Sequence, residues 1–251
     1  MLADERQQQI VETVDQHGTI STADLIEMFG VSPITIRRDL NELAERGRIV
    51  KVHGGARSAQ MNNNPAFDVK ANTNHAAKAA IAREIAGLVR DGESLMISAG
   101  TTSAAVAREL NTKRNLTVIT NSARVAQEFS PESATDIYLT GGRRAPNDAL
   151  VGPVATSAVA CLNASSLITS VHAADATGLT TPSVEEADTL TAMLGAVERV
   201  IVGIDHSKWG VRALATFARW PQVDVVVVDA DFPAEALDEL KNLVQKVVVA
   251  S

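Results

Sequence analysis

One stretch of the chain decides the fold of its amino-terminal part: residues 31–43 have the sequence VSPITIRRDLNEL. Serine is a favoured N-cap residue and proline a favoured first residue of a helix, so Ser32 and Pro33 predict a helix start. Apolar side chains then recur at the helical spacing i, i+4 and i+7: Ile36, Leu40 and Leu43. The stretch therefore predicts an amphipathic helix that buries this stripe and exposes polar and basic side chains on its other side.

A second short helix is predicted immediately before this one. Ser21 and Asp24 have the spacing of a capping box, in which the two side chains satisfy backbone N–H groups at the helix start. The helix would span residues 22–29, and Gly30 would permit a sharp turn after it. Its apolar side chains are expected to be buried: Leu25, Ile26 and Phe29. Two short helices joined by a tight turn are typical of the helix-turn-helix unit.

The segments on either side extend this unit. Residues 5–17 predict a helix, and residues 48–53 predict a short strand followed by a turn at Gly54 and Gly55. In a helix-turn-helix protein the second helix enters the major groove of DNA, and a following hairpin can form a wing over the adjacent backbone. Hydroxyl and backbone N–H groups at the helix start can meet phosphates, and basic side chains can contact phosphates or guanine. The predicted DNA contacts are Ser32, Thr35, Arg37, Arg38, Arg48, Lys51 and His53.

Charge is distributed unevenly along the chain. The formal net charge is −7, yet residues 37–57 carry six basic and three acidic residues. This pattern indicates a local basic patch on an acidic protein, as expected for a surface that approaches DNA. The alternative is a solvated helical hairpin without a partner, because most charged runs are only solvated faces of helices.

The composition excludes several classes of protein. Of 251 residues, 45% are hydrophobic and 21% are charged, which allows a sizeable core. The only cysteine is Cys161, so neither an intrachain disulfide nor a cysteine-based zinc cluster can form. Aromatic residues make up only 3%, which disfavours a base-stacking binder of single strands. No apolar run reaches the roughly 18–20 residues that span a bilayer, and no signal-peptide core is present. We therefore expect a soluble cytoplasmic protein with no metal, cofactor or membrane partner.

The rest of the sequence predicts a linker and a larger α/β domain. Residues 58–75 hold three consecutive asparagines and little periodic hydrophobicity, with room for a short strand at 67–69. We divide the chain into a winged helix-turn-helix domain (1–57), this linker and an effector-sensing domain (76–251). In the last, apolar strands alternate with helices, which predicts a mostly parallel sheet covered on both faces. The predicted strands are 94–97, 116–120, 136–140, 166–170, 200–204, 223–229 and 247–250, and the predicted helices are 76–90, 102–110, 123–129, 153–162, 184–197 and 234–243.

Small and polar residues follow several of these strands. In parallel sheets, ligands bind beyond the carboxyl ends of the strands. Small residues let backbone N–H groups approach an anion, hydroxyls and a helix N-terminus complete the site, and Lys or Arg supplies charge. Each cluster alone is compatible with an ordinary turn, whereas several at one edge predict an effector pocket. The predicted pocket residues are Ser98, Gly100, Thr101, Thr102, Thr120, Asn121, Gly141, Gly142, Arg143, Asp175, Gly178 and Lys208.

The amino-terminal motif resembles that of one protein family. Residues 31–40, followed by Leu43, Gly47 and the VHGGA sequence of residues 52–56, are similar to the winged helix-turn-helix signature of the DeoR family of bacterial transcriptional regulators. The likeness continues through the carboxy-terminal part and covers nearly the whole chain. It implies a sensor domain related in fold to ribose-5-phosphate isomerases and CoA transferases. It also implies a phosphorylated sugar or similar metabolite as effector.

The resemblance adds residues to the expected pocket. On matching positions, Glu185 and Glu186 would line it together with Ser207 and Lys208. Lys208 is the strongest candidate for contact with the effector anion, while its alternative role is that of a surface lysine after a strand.

Three departures from the family pattern surround this pocket. Ser98 stands where the family usually has an acidic residue, residues 170–173 replace a Gly-Ala-x-Gly stretch, and Leu190 stands where a basic residue is common. The identity of the effector therefore does not follow from the family. His172, inside the second departure, is a candidate for reading the ligand or responding to pH, or is a satisfied structural histidine.

The main hypothesis is a ligand-controlled repressor of a carbohydrate-metabolism operon. One recognition helix contacts only a few base pairs of double-stranded DNA, so a homodimer or homotetramer should bind repeated half-sites of an operator. Effector binding would favour an arrangement that no longer fits those half-sites. The sign of regulation comes from the resemblance alone.

Two other functions are weighed against the repressor. A sugar-phosphate isomerase with an appended helical module would need a general base and a group that stabilises the enediolate. Four residues could supply such chemistry, although no tight constellation identifies them: Asp175, His172, Glu185 and Glu186. A protein–protein adaptor lacks support, because no cluster of exposed aromatic anchors stands out.

Overall fold

The structure is a computed structural model that describes residues 3–17, 19–46, 48–52, 54–58, 71 and 73–251. The chain forms two compact units, Met1–Pro65 and Ala66–Ser251. Several predictions fall outside the described residues: the DNA contact of His53, Gly47 of the winged motif and the strand at 67–69.

The amino-terminal unit contains three helices and a small antiparallel sheet. The helices are α1 (Ala3–His17), α2 (Thr22–Phe29) and α3 (Pro33–Glu45), and the strands are β1 (Thr19–Ser21), β2 (Ile49–Val52) and β3 (Gly55–Ser58). The strands lie in the order β1-β3-β2, so that β2 and β3 form the expected wing hairpin. The core of this unit contains the predicted α3 stripe together with residues of α1, α2 and the sheet: Ile10, Val14, Leu25, Ile36, Leu40, Leu43 and Ile49.

The local signals around α2 are confirmed. Ser21 and Asp24 form the capping box, and Gly30 adopts the left-handed conformation with φ +62°. Leu25 is fully buried, and Ile26 and Phe29 are partly buried and pack against the same core. A helix of two turns presents a narrow face to a small core, and Leu25 alone lies at its centre.

The carboxy-terminal unit is built on a parallel sheet. Its strands are β4 (Ser94–Ile97), β5 (Thr117–Thr120), β6 (Asp136–Leu139), β7 (Arg143–Arg144), β8 (Leu150–Val151), β9 (Ala164–Ser170), β10 (Ala173–Asp175), β11 (Gly178–Thr181), β12 (Val197–Ile204), β13 (Ala215–Ala218), β14 (Val225–Val228) and β15 (Lys246–Val249). Its helices are α4 (His75–Gly87), α5 (Thr101–Glu109), α6 (Ala123–Gln127), α7 (Pro153–Ala160), α8 (Val184–Gly195) and α9 (Ala234–Leu243). Seven strands pair in parallel in the order β15-β14-β12-β9-β4-β5-β6, which confirms the predicted α/β class.

Helices cover both faces of this sheet, as predicted. On one face, Ile81 and Ile85 of α4 and Val106 of α5 pack with Ile97 and Ile168. On the other face a second cluster joins α7, α8 and α9 to the alternate residues of the strands: Val159, Leu190, Leu240, Met96, Leu167 and Val202. Because both faces are covered, successive residues in the middle of these strands are apolar, as in Leu95–Ile97 of β4 and at Leu167 and Ile168 of β9.

The sequence analysis missed two antiparallel elements. Strands β10, β11 and β13 form a three-stranded sheet, and β7 pairs with β8. These strands are only two to four residues long, which is too short for the apolar runs that identify the parallel strands. The helix predicted at residues 76–90 is α4, which begins at His75 with Asn74 as its N-cap.

Candidate DNA interface and effector site

The start of α3 is capped by its own hydroxyl groups. The Oγ atom of Ser32 accepts a hydrogen bond from the backbone N–H of Thr35 at 3.2 Å and lies 2.8 Å from the Thr35 Oγ1 atom. Pro33 occupies the first helical position. Ser32 is exposed and Thr35 is partly exposed, so the capped end of α3 remains accessible. It can present backbone N–H groups to a phosphate.

Two arginines follow this cap on the exposed side of α3. Arg37 makes no hydrogen bond or ion pair with any residue that the structure describes. The Arg38 side chain is 80% exposed, and its Nε atom donates to Glu42 Oε1 at 3.0 Å. An exposed pair at this spacing stabilises a helix by only about 0.3–0.5 kcal/mol, so it does not hold Arg38 away from another anion. Both side chains can therefore reach a phosphate or a base edge.

Ile34 lies in the same turn and was not identified from the sequence. Its side chain is 78% exposed, although isoleucine is normally buried. An apolar side chain beside arginines at the start of a recognition helix can contact the methyl group of thymine. Its position after Pro33, opposite the stripe that includes Ile36, was a signal that could have identified it.

The buried side of α3 carries an ion pair that sequence analysis counted as surface charge. The Arg6 Nε atom of α1 donates to Asp39 Oδ2 at 2.7 Å, and the Gln7 Nε2 atom donates to Asp39 Oδ1 at 3.1 Å. Asp39 is 3% exposed. The hydrogen bond to Asp39 raises the pKa of Arg6, which stays charged. This pair ties α1 to α3, and it removes one acid from the exposed basic patch.

The remaining described basic candidates lie in the wing strand β2 and immediately before it. The Lys51 Nζ atom donates to Asn41 Oδ1 at 2.6 Å and so connects β2 with α3. Arg48 is exposed and donates to the Gln8 Oε1 atom at 3.3 Å. Both side chains are therefore oriented by neutral partners, and both charges remain available to DNA.

In the carboxy-terminal unit, one loop joins the ends of β4, β5 and β9. The backbone N–H of Ala99 donates to Asn121 Oδ1 at 2.8 Å, and Asn121 Nδ2 donates to the Leu150 carbonyl at 3.1 Å. Gly100 has φ +152°, and a Cβ atom there would collide with the Ser170 hydroxyl group. Thr101 and Thr102 then open α5. The structure thus brings the Gly-Thr-Thr loop, Asn121 and the end of β9 together.

Two predicted pocket residues are buried inside this arrangement. Ser98 and Thr120 are both 0% exposed. The Ser98 Oγ atom lies 2.7 Å from Thr169 Oγ1, and Thr120 Oγ1 accepts a hydrogen bond from the Ser122 N–H at 3.2 Å. Their side chains hold the strand ends in place, and their direct contact with an effector remains a prediction.

A second group of predicted pocket residues lies around the start of α8, where Glu186 is hydrogen-bonded to its neighbours. Glu186 accepts hydrogen bonds from Asn147 Nδ2 at 3.0 Å and from Thr181 Oγ1 at 2.6 Å. Beside it, Arg143 forms an ion pair with Glu185. The β7–β8 hairpin and α8 are therefore linked by these pairs. The two glycines Gly141 and Gly142 precede the hairpin, both with positive φ.

The loop after β12 holds the charged cluster of this unit. Asp205 is 2% exposed and accepts hydrogen bonds from Asn74 Nδ2 at 2.9 Å and from the Ser207 N–H at 3.2 Å. Burial raises the pKa of Asp205, but the charge of Lys208, the Ser207 and Asn74 hydrogen bonds and the charge of Lys78 together hold it below its ordinary value. Lys208 therefore lies beside a buried carboxylate. Lys78 of α4 is a further member that the sequence analysis missed.

The same loop is fastened to the end of β14 by a histidine. The backbone N–H of His206 donates to Asp229 Oδ1 at 2.7 Å, and His206 Nδ1 lies 2.5 Å from Asp229 Oδ2. With Asp231, these groups place possible metal-ligand atoms within 4.8 Å of one another. Because His206 and Asp229 already satisfy each other, we interpret the pair as a clamp that positions the loop of Lys208.

Asp175 and Gly178 lie in the three-stranded sheet. Asp175 accepts hydrogen bonds from Arg212 Nε at 2.7 Å and from the Thr177 N–H at 2.8 Å. Burial raises the pKa of Asp175, but these partners outweigh it, and the pKa lies below its ordinary value. Gly178 has φ +141°, and a Cβ atom there would collide with the Ala218 carbonyl. The fold therefore requires a glycine at this position, whether or not it contacts a ligand. His172 is partly exposed between β9 and β10.

Comparison with known proteins identifies both halves of the chain. Residues 6–62 match the DeoR-like helix-turn-helix domain, and residues 73–230 match the DeoR C terminal sensor domain. The chain is 35% identical to the glycerol-3-phosphate regulon repressor of Escherichia coli (strain K12), with 95% of each chain covered. It is 35% identical to the transcriptional repressor AccR of Agrobacterium fabrum, over 90% of this chain and 89% of that protein. It is 32% identical to the lactose phosphotransferase system repressor of Staphylococcus aureus (strain N315), over 97% and 98%.

Solved structures similar to this chain include ribose 5-phosphate isomerase A from Methanocaldococcus jannaschii, with a TM-score of 0.40, 15% identity and 55% of each chain covered. The expected relation to CoA transferases remains a prediction. Within the described parts of the chain, no helix combines the length and apolar character needed to cross a bilayer. The two domain matches and the full-length relatives agree with the winged unit and the parallel α/β unit seen here. The chain belongs to the DeoR family of transcriptional regulators.

Proposed function

We propose that this protein is a DNA-binding repressor of a carbohydrate-metabolism operon, and that a phosphorylated sugar releases it from its operator. The observation that carries the DNA-binding part is the pair Arg37 and Arg38. Both side chains are exposed beside the accessible start of α3, on the helix that the winged helix-turn-helix fold places in the major groove. Ser32, Thr35, Arg48 and Lys51 supply further contacts of the same kind.

The sensor half of the proposal is supported by the strand ends of the parallel sheet. The Gly100–Thr102 loop and Asn121 lie together at this edge, and the loop that follows β12 carries Lys208 beside Asp205. Such small, polar and cationic groups are suited to a phosphorylated ligand. Two of the similar repressors are named for glycerol-3-phosphate and for a lactose phosphotransferase system. Those names support a regulated pathway in carbohydrate metabolism for this protein.

We further propose that the protein acts as a homodimer or homotetramer and has no enzymatic activity. A single α3 contacts too few base pairs to select an operator, so two copies would bind repeated half-sites. The carboxylates considered for isomerase chemistry are already engaged. Both oxygens of Glu186 accept hydrogen bonds, and Asp175 is paired with Arg212. A panel of sugar phosphates tests this point, since steady turnover by the purified protein would establish an enzyme.

The DNA-binding role is tested by replacing both arginines. The double variant Arg37→Ala/Arg38→Ala should bind the DNA upstream of its own gene more weakly, with a salt dependence reduced by about two units of slope. Arg90→Ala is the matched control, because Arg90 is an exposed arginine of the other unit. Equal affinity and equal salt slope for all three proteins would exclude the assigned DNA contact.

A further inference from the structure

We propose that Ile34 is a base-reading residue of α3, whose side chain contacts the 5-methyl group of a thymine in the operator and so helps to select the DNA sequence. This inference rests on the proposed DNA-binding function and assigns a specificity-determining contact to one side chain. The other expected contacts come from polar and basic residues, and contacts of that kind to phosphates position a protein on DNA without reading the sequence.

The exposure of Ile34 is fixed by the geometry of α3. Its side chain is 78% exposed, the largest value among the large apolar residues that the structure describes, whereas Ile36 is fully buried. Successive residues of an α-helix are about 100° apart, so Ile34 lies on the side of α3 opposite to Ile36. Single exposed apolar side chains are common on proteins, so the position of Ile34, and not its exposure alone, carries the inference.

The surroundings of Ile34 are suited to double-stranded DNA. Arg37 and Arg38 follow it by three and four residues, which places the three side chains at neighbouring positions of one exposed helix face. The first turn of α3 contains no acidic residue, and Asp39 is buried. Glu42, which pairs with Arg38, lies about two turns further along than Ile34. An apolar side chain beside two cations fits a partner that combines phosphates with an apolar group, as the major groove of DNA does.

Thymine is the base that an isoleucine side chain can read. In the major groove, each base presents hydrogen-bonding groups, and thymine adds a methyl group. Against any other base, the side chain of Ile34 would cover donors or acceptors that it cannot pair, which carries a cost. A β-branched side chain in a helix also has few rotamers to lose when it makes a contact. Ile34 should therefore favour thymine over the other three bases.

The test removes the methyl group from the DNA. Deoxyuridine in place of thymine lacks the 5-methyl group and keeps the same hydrogen-bonding edge. Duplexes that the full-length wild type selects from a random-sequence library supply the probe. Deoxyuridine placed at random thymine positions of the tightest duplex then locates the methyl groups that contribute to binding. Affinities are finally measured for pairs of duplexes that differ only by thymine or deoxyuridine at one such position.

Two variants are compared with wild type in this cycle. Ile34→Ala removes the proposed contact, and its folding is checked by the melting temperature. Val154→Ala is the matched control from the carboxy-terminal unit. Val154 is also an exposed apolar residue, 64% exposed, and it directly follows Pro153 at the start of α7, as Ile34 follows Pro33 at the start of α3.

The inference predicts a different ratio of affinities for the two variants. For wild type and Val154→Ala, deoxyuridine at the contacted position should weaken binding about fourfold, the value for one methyl group withdrawn from an apolar contact. For Ile34→Ala, the thymine and deoxyuridine duplexes should bind almost equally. Its salt dependence should match that of wild type, because the isoleucine side chain neutralises no phosphate. The double arginine variant differs from Ile34→Ala in this respect.

The outcomes separate the inference from the proposed function. If wild type selects a duplex, but its thymine methyl groups contribute nothing or contribute equally in Ile34→Ala, the role of Ile34 is wrong and the DNA-binding function stands. If Ile34→Ala changes the oligomeric state and no affinity ratio, Ile34 lies in a contact between copies, and the inference is equally wrong. If wild type selects no duplex, the proposed function fails and the inference fails with it.

Discussion

Two buried charged clusters, one in each unit, differ in how their carboxylate is held. In the amino-terminal unit, Asp39 accepts hydrogen bonds from Arg6 and Gln7, and the pair with Arg6 joins two helices. In the carboxy-terminal unit, Asp205 accepts hydrogen bonds from Asn74 and the Ser207 N–H, and the charges of Lys78 and Lys208 act on it as well. The first carboxylate therefore depends on a single cation, whereas the second has several partners that share its stabilisation.

The largest effect is expected from breaking the amino-terminal cluster of Arg6 and Asp39. Asp39→Asn should destabilise the amino-terminal unit by about 3 kcal/mol, because the Arg6 guanidinium would remain at an 11% exposed position without its counter-charge. Denaturant unfolding monitored by hydrogen exchange of α1 and α3 measures the change. The double variant Arg6→Met/Asp39→Leu should recover most of the loss. If Asp39→Asn is as stable as wild type, the pair does not hold α1 on α3.

Substitution of a cation in the second cluster should cost less. At pH 7, Lys78→Met should lower the stability of the carboxy-terminal unit by less than Asp39→Asn lowers that of the amino-terminal unit, because Asp205 keeps Lys208 and the hydrogen bonds of Asn74 and Ser207. Calorimetry measures this effect. A loss as large as that of Asp39→Asn would remove the contrast between the clusters.

The pH dependence of stability sharpens the contrast further. Lys78 has a pKa of about 8 in the folded protein, below the ordinary value of 10.5. Between pH 8 and 10.5 the unfolded chain binds more protons at this residue, so its contribution to the free energy of unfolding should increase with pH. The free energy of unfolding of wild type and of Lys78→Met is measured by chemical denaturation across this range. The difference between the two isolates the contribution of Lys78. A flat difference would contradict the lowered pKa.

A smaller effect is expected where the local sequence alone determines the structure. Ser21→Ala removes the capping box of α2 and should cost about 1 kcal/mol, because one backbone N–H at the helix start loses its partner. Ser21→Asp is the matched control and should retain most of the stability. Thermal unfolding of the amino-terminal unit measures both variants. Equal stability of Ser21→Ala and wild type would show that the cap is dispensable.

The two sides of α3 show which of its features the sequence could predict. The stripe of Ile36, Leu40 and Leu43 and the cap at Ser32 follow from spacing and residue type, and the structure confirms them. The partner of Asp39 could not be foreseen, since Arg6 is 33 residues away and its proximity depends on how α1 packs. Arg37 and Arg38 as DNA contacts remain predictions, consistent with their exposure.

The glycines also divide into positions that the local sequence explains and positions that only the tertiary structure explains. Gly30 was expected from its place after a short helix, and it adopts the left-handed conformation. Gly55 was expected in a turn, but it opens β3, where a side chain would collide with the Ile20 carbonyl. Gly178 was expected to line a pocket, and the structure gives it a close approach to the Ala218 carbonyl. Such approaches arise between strands that are distant in sequence.

The sequence by itself determined the helix caps, the apolar runs of the parallel strands and the order of elements, because these depend on neighbouring residues and on the burial of apolar side chains. It also determined the winged motif and the family. Only the tertiary structure decided that Ser98 and Thr120 are buried, that Asp39 is paired with Arg6, and that Lys78 lies beside Asp205 and Lys208. Electrostatic interactions decay with distance in space and carry no periodic pattern along the chain, so such clusters become visible only after folding brings the charges together.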